Sequence, residues 1–315
     1  MDNGDFYFDN FKLEIKNKKG KWKKIKIDNG GFENILLDGL WNQGTHKSYP
    51  FKIKNFEIKR SKVTPYKGNY ALHIKGRGLI GNNKNGKYVN VNNVQLYYEV
   101  YGSGKPLLLL HGNGQSINAF IHQVDVFKKH YKVIIVDCRG RGNSTYDYNK
   151  ELTYDLEVDD IKLFLDKINI EKAHILSWSD GGIIGLLMAI KYPEKVDKLI
   201  AIGANINPEG LVDVDELYKI IGSLKKEPKS DKNDLLIARY KMLVRYPKLA
   251  YKDLNVITSK TLFVAGDHDE IKTIHTIKMF EAIKNAQLAI LPNETHYFPS
   301  KNPIFFNKIA LKFLK

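Results

Sequence analysis

The sequence predicts an α/β chain, a mostly parallel sheet with helices on both faces, preceded by a small all-β unit. Three observations predict it. From residue 85 onward, apolar runs of strand length alternate with helix-length stretches, a pattern that calls for right-handed crossovers between parallel strands. Before residue 85, apolar residues recur at every second position between Gly, Asn and Pro clusters, as in antiparallel strands joined by turns. Between roughly 204 and 258 the alternation lapses into helical periodicity without a strand, which marks an insertion. The expected domains are therefore residues 1–84 and residues 85–315, with a short helical lid over about 204–258.

Taken in order, the period-two stretches are Phe11, Leu13, Ile15; Trp22, Ile25, Ile27; Phe51, Ile53; Phe56, Ile58; and Tyr70, Leu72, Ile74. After Gly86 the run YVNVNNVQLYYEVY reads as a hairpin. Strands are expected at Leu107–Leu110, Val133–Val136, Ala173–Trp178, Lys198–Ile202, Thr261–Ala265 and Gln287–Leu291, with helices near 117–129, 154–168, 181–191, 271–283 and 302–314. In such a sheet, chemistry belongs at the carboxyl ends of the strands. The segments VDELYKIIGSL and DLLIARYKMLV carry the helical periodicity of the insertion, which would lie over those ends.

Composition bounds the function. At 315 residues, 43% apolar and 27% charged, the chain is an ordinary globular one with ample core. No apolar run reaches the roughly 20 residues that span a bilayer. The N-terminus MDNGDFYFDN has no basic and apolar leader pattern, so the chain as given reads as cytoplasmic, and as exported if a longer chain precedes it. Cys138 is the only cysteine, which excludes an internal disulfide. The formal charge is +15, but residues 1–84 hold 18 basic against 8 acidic residues, and residues 85–315 hold 32 against 27. Only six of the 50 basic residues are Arg, whereas base and phosphate recognition favours the planar guanidinium. The excess is read as a lysine-rich solvated surface, with neither nucleic acid nor membrane as partner.

Four segments carry chemistry. After the strand AHIL comes Ser177-Trp178-Ser179-Asp180-Gly181-Gly182 and then a helical run; strand, sharp turn with small residues around a serine, and helix make a nucleophile elbow. Ser177 stands where the pattern has its first glycine. The strand Leu107–Leu110 runs into His111-Gly112-Asn113-Gly114, a glycine-rich turn that can aim backbone amides at an oxyanion. The amides of Asn113 and Asp180 are the expected pair, while His111 reads as a residue that structures its loop. A third strand ends in Gly266-Asp267-His268-Asp269-Glu270 and a fourth is followed by His296. A serine needs a base, and the base needs a carboxylate to fix its tautomer; Asp267 and Asp269 both compete for that place. The order Ser, Asp, His, each past a parallel strand, points to a triad.

These residues resemble the α/β-hydrolase superfamily over roughly 86–315. The segment Val136-Asp137-Cys138-Arg139-Gly140-Arg141-Gly142-Asn143-Ser144 is similar to the family's D-x-R-G-x-G-x-S loop, and Tyr192-Pro193-Glu194-Lys195-Val196 to its Y-P-E-x-V turn. The Gly-Asp-His-Asp segment is similar to G-[DE]-x-D, whose last aspartate is the triad acid, and this implies Asp269. The elbow looks closest to valacyclovirase-like (biphenyl-hydrolase-like) serine esterases, which carry G-W-S-D-G-G.

The resemblance implies an α/β-hydrolase fold and a carboxylesterase in which Ser179 attacks a carbonyl, His296 takes and returns the proton, and Asp269 orients His296. No cofactor or metal is implied, and Cys138 reads as a packing residue. The expected partner is a small-molecule ester. Trp178 and Asp180 are candidate pocket residues, with Asp180 either complementing the helix dipole or attracting an amino group on the substrate. The alternatives are an aminopeptidase or amidase, whose elbows in the prolyl aminopeptidases usually read G-G-S-W-G, and a binding protein with a silent site. The N-terminal Asn29-Gly-Gly-Phe-Glu33, Trp41 and Gly68-Asn-Tyr-Ala-Leu-His-Ile-Lys75 resemble the first half of jelly-roll, galactose-binding-like modules, which implies carbohydrate contact and a carbohydrate-targeted esterase.

Overall fold

The computed structural model describes residues 86–315 together with Ile80 and five N-terminal strands. The chain divides into two compact units, Met1–Lys84 and Asn85–Lys315. In the first, β1 (Asp5–Phe8), β4 (Phe56–Ser61) and β5 (Ala71–Gly76) form an antiparallel sheet in the order β1-β5-β4, and β2 (Leu13–Lys16) pairs antiparallel with β3 (Trp22–Ile25). The segments 29–33 and 41, on which the carbohydrate reading rests, lie outside the described residues, as does the Phe51–Ile53 stretch.

The second unit is an eight-stranded sheet. It opens with the hairpin β6 (Lys87–Val91) and β7 (Val94–Tyr101). The turn is Asn92-Asn93 with φ of 36° and 65°, the left-handed pair a two-residue hairpin requires and that asparagine tolerates. Next come β8 (Pro106–Leu110), β9 (Lys132–Val136), β10 (Ala173–Trp178), β11 (Val196–Ile202), β12 (Lys260–His268) and β13 (Ala286–Thr295). The order across the sheet is β13-β12-β11-β10-β8-β9-β7-β6, parallel from β9 to β13 and antiparallel at the hairpin edge. Strands such as LLLL and KVIIV read as unbroken apolar runs because both faces are covered; Leu107–Leu110 and Val133–Val136 are all fully buried.

The helices are α1 (Ile121–Phe127), α2 (Tyr154–Lys167), α3 (Asp180–Lys191), α4 (Val214–Leu224), α5 (Asp231–Arg245), α6 (Thr273–Glu281), α7 (Phe298–Lys301) and α8 (Pro303–Leu314). Thr153 and Ser230 cap α2 and α5 through their hydroxyls, satisfying first-turn amides that no helical carbonyl reaches. The α3 segment is apolar nearly all round, and ten of its residues are buried, as a helix clasped between sheet and neighbours must be. The insertion between β11 and β12 is helical: α4 and α5 occupy it.

Two strands are longer than the apolar pattern implies. β12 and β13 stay paired past Leu291, with a register shift between Gly266 and His268. Polar residues continue these strands because pairing, rather than hydrophobicity, holds the last turns of the ladder. Gly266 permits it, since a Cβ there would collide with the carbonyl of Glu294. Asp269 and His296 consequently leave the sheet from adjacent strand ends.

Candidate active site

Ser179 sits between β10 and α3 with φ 58° and ψ −121°, a left-handed conformation that costs a non-glycine residue free energy and is held by its surroundings. Its N–H donates to Ile202 O at 2.8 Å, and its carbonyl accepts from Ile183 N at 3.0 Å. Small neighbours make the turn possible. A Cβ on Gly181 would run into the carbonyl of Leu110, and one on Gly112 would lie 2.8 Å from Ser179 Cβ. Ser177 fits the turn as well: it is fully buried, and its hydroxyl donates to Ile200 O at 2.8 Å.

The second element is an acid–imidazole pair. Asp269 Oδ1 lies 2.7 Å from His296 Nδ1. The same carboxylate accepts from Ile271 N at 3.1 Å and, through Oδ2, from Gly266 N at 3.3 Å. Asp267 is turned elsewhere, onto His268 at the surface and the amide of Glu294, so the geometry selects Asp269 of the two. Burial alone would depress the His296 pKa. The hydrogen bond that Nδ1 donates to Asp269 and the negative charge of Asp269, Glu270 and Asp180 outweigh it and leave the imidazole above its ordinary range.

Ser179 and His296 line one cavity of about 490 Å³ together with Gly112 and Asn113. Leu217 and Ile220 from α4 and Leu236 and Tyr240 from α5 close it from the other side. Asp180 is the first residue of α3, so its N–H has no partner inside the helix. That amide and the Asn113 turn are the two candidate oxyanion donors.

Two expected pocket residues are corrected. Trp178 is 1% exposed and does not line the cavity; its indole N–H donates to the carbonyl of His296 at 3.0 Å, so it holds the histidine from behind. Asp180 is 2% exposed, and its carboxylate is turned away from the cavity. Arg141 donates to Oδ2 at 3.0 Å and the Tyr154 hydroxyl to Oδ1 at 2.9 Å. Arg141 also pairs with buried Glu157. The side chain points inward because a buried carboxylate needs a buried cation more than a helix N-terminus needs a carboxylate. Burial, only partly offset by Arg141, pushes Glu157 up to about 7.

His111 is structural. Its Nε2 accepts from Cys138 N at 3.0 Å and its Nδ1 faces Gly112 O at 2.9 Å. Burial drives its pKa down to about 3, so it stays neutral and ties the Asn113 turn to the arginine loop. Cys138 is buried in the core, where desolvation holds its thiol protonated. Among the described residues no group of His, Cys, Asp and Glu is arranged to hold a metal ion, and no helix is long and apolar enough to cross a membrane. The residues that sequence reasoning missed are Glu216, Tyr240, Glu270 and Tyr297 of the cavity wall. Glu270 and Tyr297 each follow a triad candidate directly, which was the one signal available.

Comparison with known proteins agrees with this architecture. The family model described as the alpha/beta hydrolase fold matches residues 105–224. A 2-hydroxy-6-oxononadienedioate/2-hydroxy-6-oxononatrienedioate hydrolase of Paraburkholderia phymatum is 28% identical over 274 residues, covering 72% of this chain and 95% of that protein. Among solved structures, a meta-cleavage product hydrolase from Pseudomonas fluorescens matches with a TM-score of 0.61 at 23% identity, over 73% of this chain and 97% of the other. An enol-lactonase from Burkholderia xenovorans matches with a TM-score of 0.62 at 19% identity, over 72% and 99%.

Proposed function

We propose that the chain, which has the α/β-hydrolase fold, is a serine hydrolase cleaving carboxylic esters of small molecules through an acyl-enzyme. The observation that carries this reading is the meeting of a strained elbow serine, Ser179, and the Asp269-paired His296 on one cavity. In the reaction, Ser179 Oγ attacks the ester carbonyl carbon and its proton passes to His296 Nε2. Charge gathers on the former carbonyl oxygen, which the amides of Asn113 and Asp180 receive. The tetrahedral adduct collapses as the C–O bond to the leaving alcohol breaks and His296 returns the proton to that oxygen. Water then attacks the acyl-enzyme, giving up its proton to His296, and release of the acid regenerates Ser179. Asp269 keeps the proton on Nδ1, so Nε2 is the basic nitrogen, and it stabilises the imidazolium when it forms.

A dioate of the kind named for the Paraburkholderia relative fits this cavity less well. Its wall carries Asp213, Glu216 and Glu270 beside Asp269 and, among the described residues, no Lys or Arg, so two carboxylates on a substrate would meet like charge. The test is labelling with a fluorophosphonate probe read by intact mass, comparing the protein with Ser179→Ala, followed by a short-to-long p-nitrophenyl ester series. A single adduct lost in the variant, with turnover of at least one ester, is the expected result. An unlabelled but folded protein would favour a binding protein built on this fold, and labelling without ester turnover would favour C–C or amide substrates.

A further inference from the structure

We propose that Asn205 is a substrate-binding residue of the catalytic cavity, a fixed acceptor that selects esters carrying a neutral hydroxyl group. This rests on the cavity being the substrate site of the reading above, and it adds the chemical class of the substrate. Asn205 lies just past β11, on the segment that begins at Gly203, where a Cβ would stand 2.7 Å from His296. It lines the same cavity as Ser179 and His296 and is only 3% exposed. Its carboxamide has one direction. Nδ2 donates to Asn207 O at 2.8 Å; turned the other way, Oδ1 would face that carbonyl oxygen with nothing to donate, so the bond decides which atom is which. Oδ1 then accepts from no group among the described residues. It nonetheless keeps surface open to solvent, and the space that this nearly buried residue borders is the cavity.

A buried polar group is ordinarily paired within the protein, and the neighbours of Asn205 follow that rule. Ile206 N donates to His275 Nε2 at 3.1 Å, and Ile206 O accepts from Leu249 N at 2.9 Å. Asn207 is spent on structure: its carbonyl also accepts from Gly210 N at 3.1 Å, and its Nδ2 donates to Leu249 O at 3.1 Å. These bonds hold the backbone that carries Asn205, so its Oδ1 is an acceptor already in place, and little further ordering is needed when a donor arrives. Opposite it the lid supplies aliphatic side chains, Leu217 and Ile220 of α4 and Leu236 and Leu243 of α5. A neutral acceptor facing aliphatic side chains suits a substrate that is apolar except for one hydroxyl. An analogue without the donor would fill the same space and leave Oδ1 unpaired, which is how a site built around a hydrogen bond rejects a close analogue.

The experiment uses the full chain and reads initial rates by pH-stat titration, so that no chromophore has to enter the cavity. Methyl esters of straight-chain hydroxy acids of increasing length are each compared with the O-methyl ether, which keeps the oxygen and loses the donor, and with the amine that replaces the hydroxyl. A second series places the hydroxyl on the alcohol half of the ester. In at least one series kcat/KM should favour the hydroxyl over its ether by about tenfold. Asn205→Leu, similar in volume and without an acceptor, should bring that ratio close to one, with circular dichroism verifying the fold; Asn205→Ala is read in its place if the leucine variant does not fold. Equal rates for hydroxyl and ether at every length in both series, an amine preferred to the hydroxyl, or a preference that survives the Asn205 change would each overturn the proposal. Fluorophosphonate labelling reads Ser179 separately. A labelled protein that hydrolyses esters without regard to the hydroxyl sinks this proposal alone, whereas an unlabelled and inactive one removes the serine-hydrolase reading and this proposal with it.

Discussion

Gly203 lies so close beneath His296 that a Cβ on it would stand 2.7 Å from both Nδ1 and Cε1 of the imidazole and 3.3 Å from Asp269 Oδ2. It follows β11 directly, with φ 51°, and its N–H donates to Val264 O at 3.0 Å. The room in which the acid and the imidazole meet is therefore the absent side chain of a residue from a third strand. Gly203→Ala should displace His296 and lower kcat about 10²-fold, the scale of a misplacement near 1 Å. Left-handed backbone adds a modest stability loss. Ester kinetics and thermal denaturation on one preparation check both, and a fully active variant would mean that His296 does not need this seat.

The pH profile follows from the same pair. In the proposed reaction His296 serves as a base only when neutral, and its pKa is raised above the ordinary histidine value because Asp269 and the neighbouring carboxylates outweigh burial. Activity should therefore rise with pH through a midpoint above about 6.5 and level off beyond it. Asp269→Asn removes the charge that raises the midpoint, so the limb should move to lower pH while kcat falls by about 10⁴-fold through loss of the correct tautomer. A rate flat down to pH 5 in the unaltered protein would count against His296.

Ser177 has a definite place in the elbow. Its hydroxyl bonds Ile200 O, and Gly185 leaves space for it, since a Cβ there would sit 2.6 Å from that hydroxyl oxygen. Ser177→Gly should cost about 1 kcal/mol of stability through the lost hydrogen bond and leave the ester rate within about twofold. Urea denaturation and initial rates decide it; a large gain in rate would show that the serine strains the elbow.

How far the sequence led can be read from these residues. The strands, the elbow turn and the strand-end places of Asp269 and His296 were legible because each is a local pattern: an apolar run, small residues around Ser179, a Gly-Asp-His-Asp strand end. The ladder beyond Leu291 was not, since its residues are polar and only pairing with β12 makes them a strand. Nor was the direction of the Asp180 side chain, which depends on Arg141 and Tyr154, 39 and 26 positions away along the chain. A motif shows which residue follows the serine. It does not show which buried cation claims its carboxylate.

That claim has a kinetic consequence. With its carboxylate held by Arg141 and Tyr154, Asp180 faces no substrate, so Asp180→Asn should slow neutral and amine-bearing esters to the same degree. A loss confined to the amine-bearing ester would return Asp180 to the pocket and contradict the placement seen here. Paired kcat/KM values on two isosteric esters are sufficient.

Among the described residues Arg141 is the one cation that bonds both Asp180 and Glu157, and all three are nearly inaccessible to water. Removing one partner of a buried ion cluster strands the others without solvent, at a cost of about 3–5 kcal/mol. Arg141→Met should therefore lower stability by about that amount in urea denaturation, although the replaced volume is apolar and similar. Part of the loss should return when Glu157→Gln is added, because the second change removes one of the stranded charges. The sign of that coupling separates electrostatics from packing. If Arg141 mattered only as filler, the Glu157 change would add its own cost. Recovery in the double variant would instead identify the arginine as the counter-charge that lets a carboxylate stand next to the nucleophile without facing it.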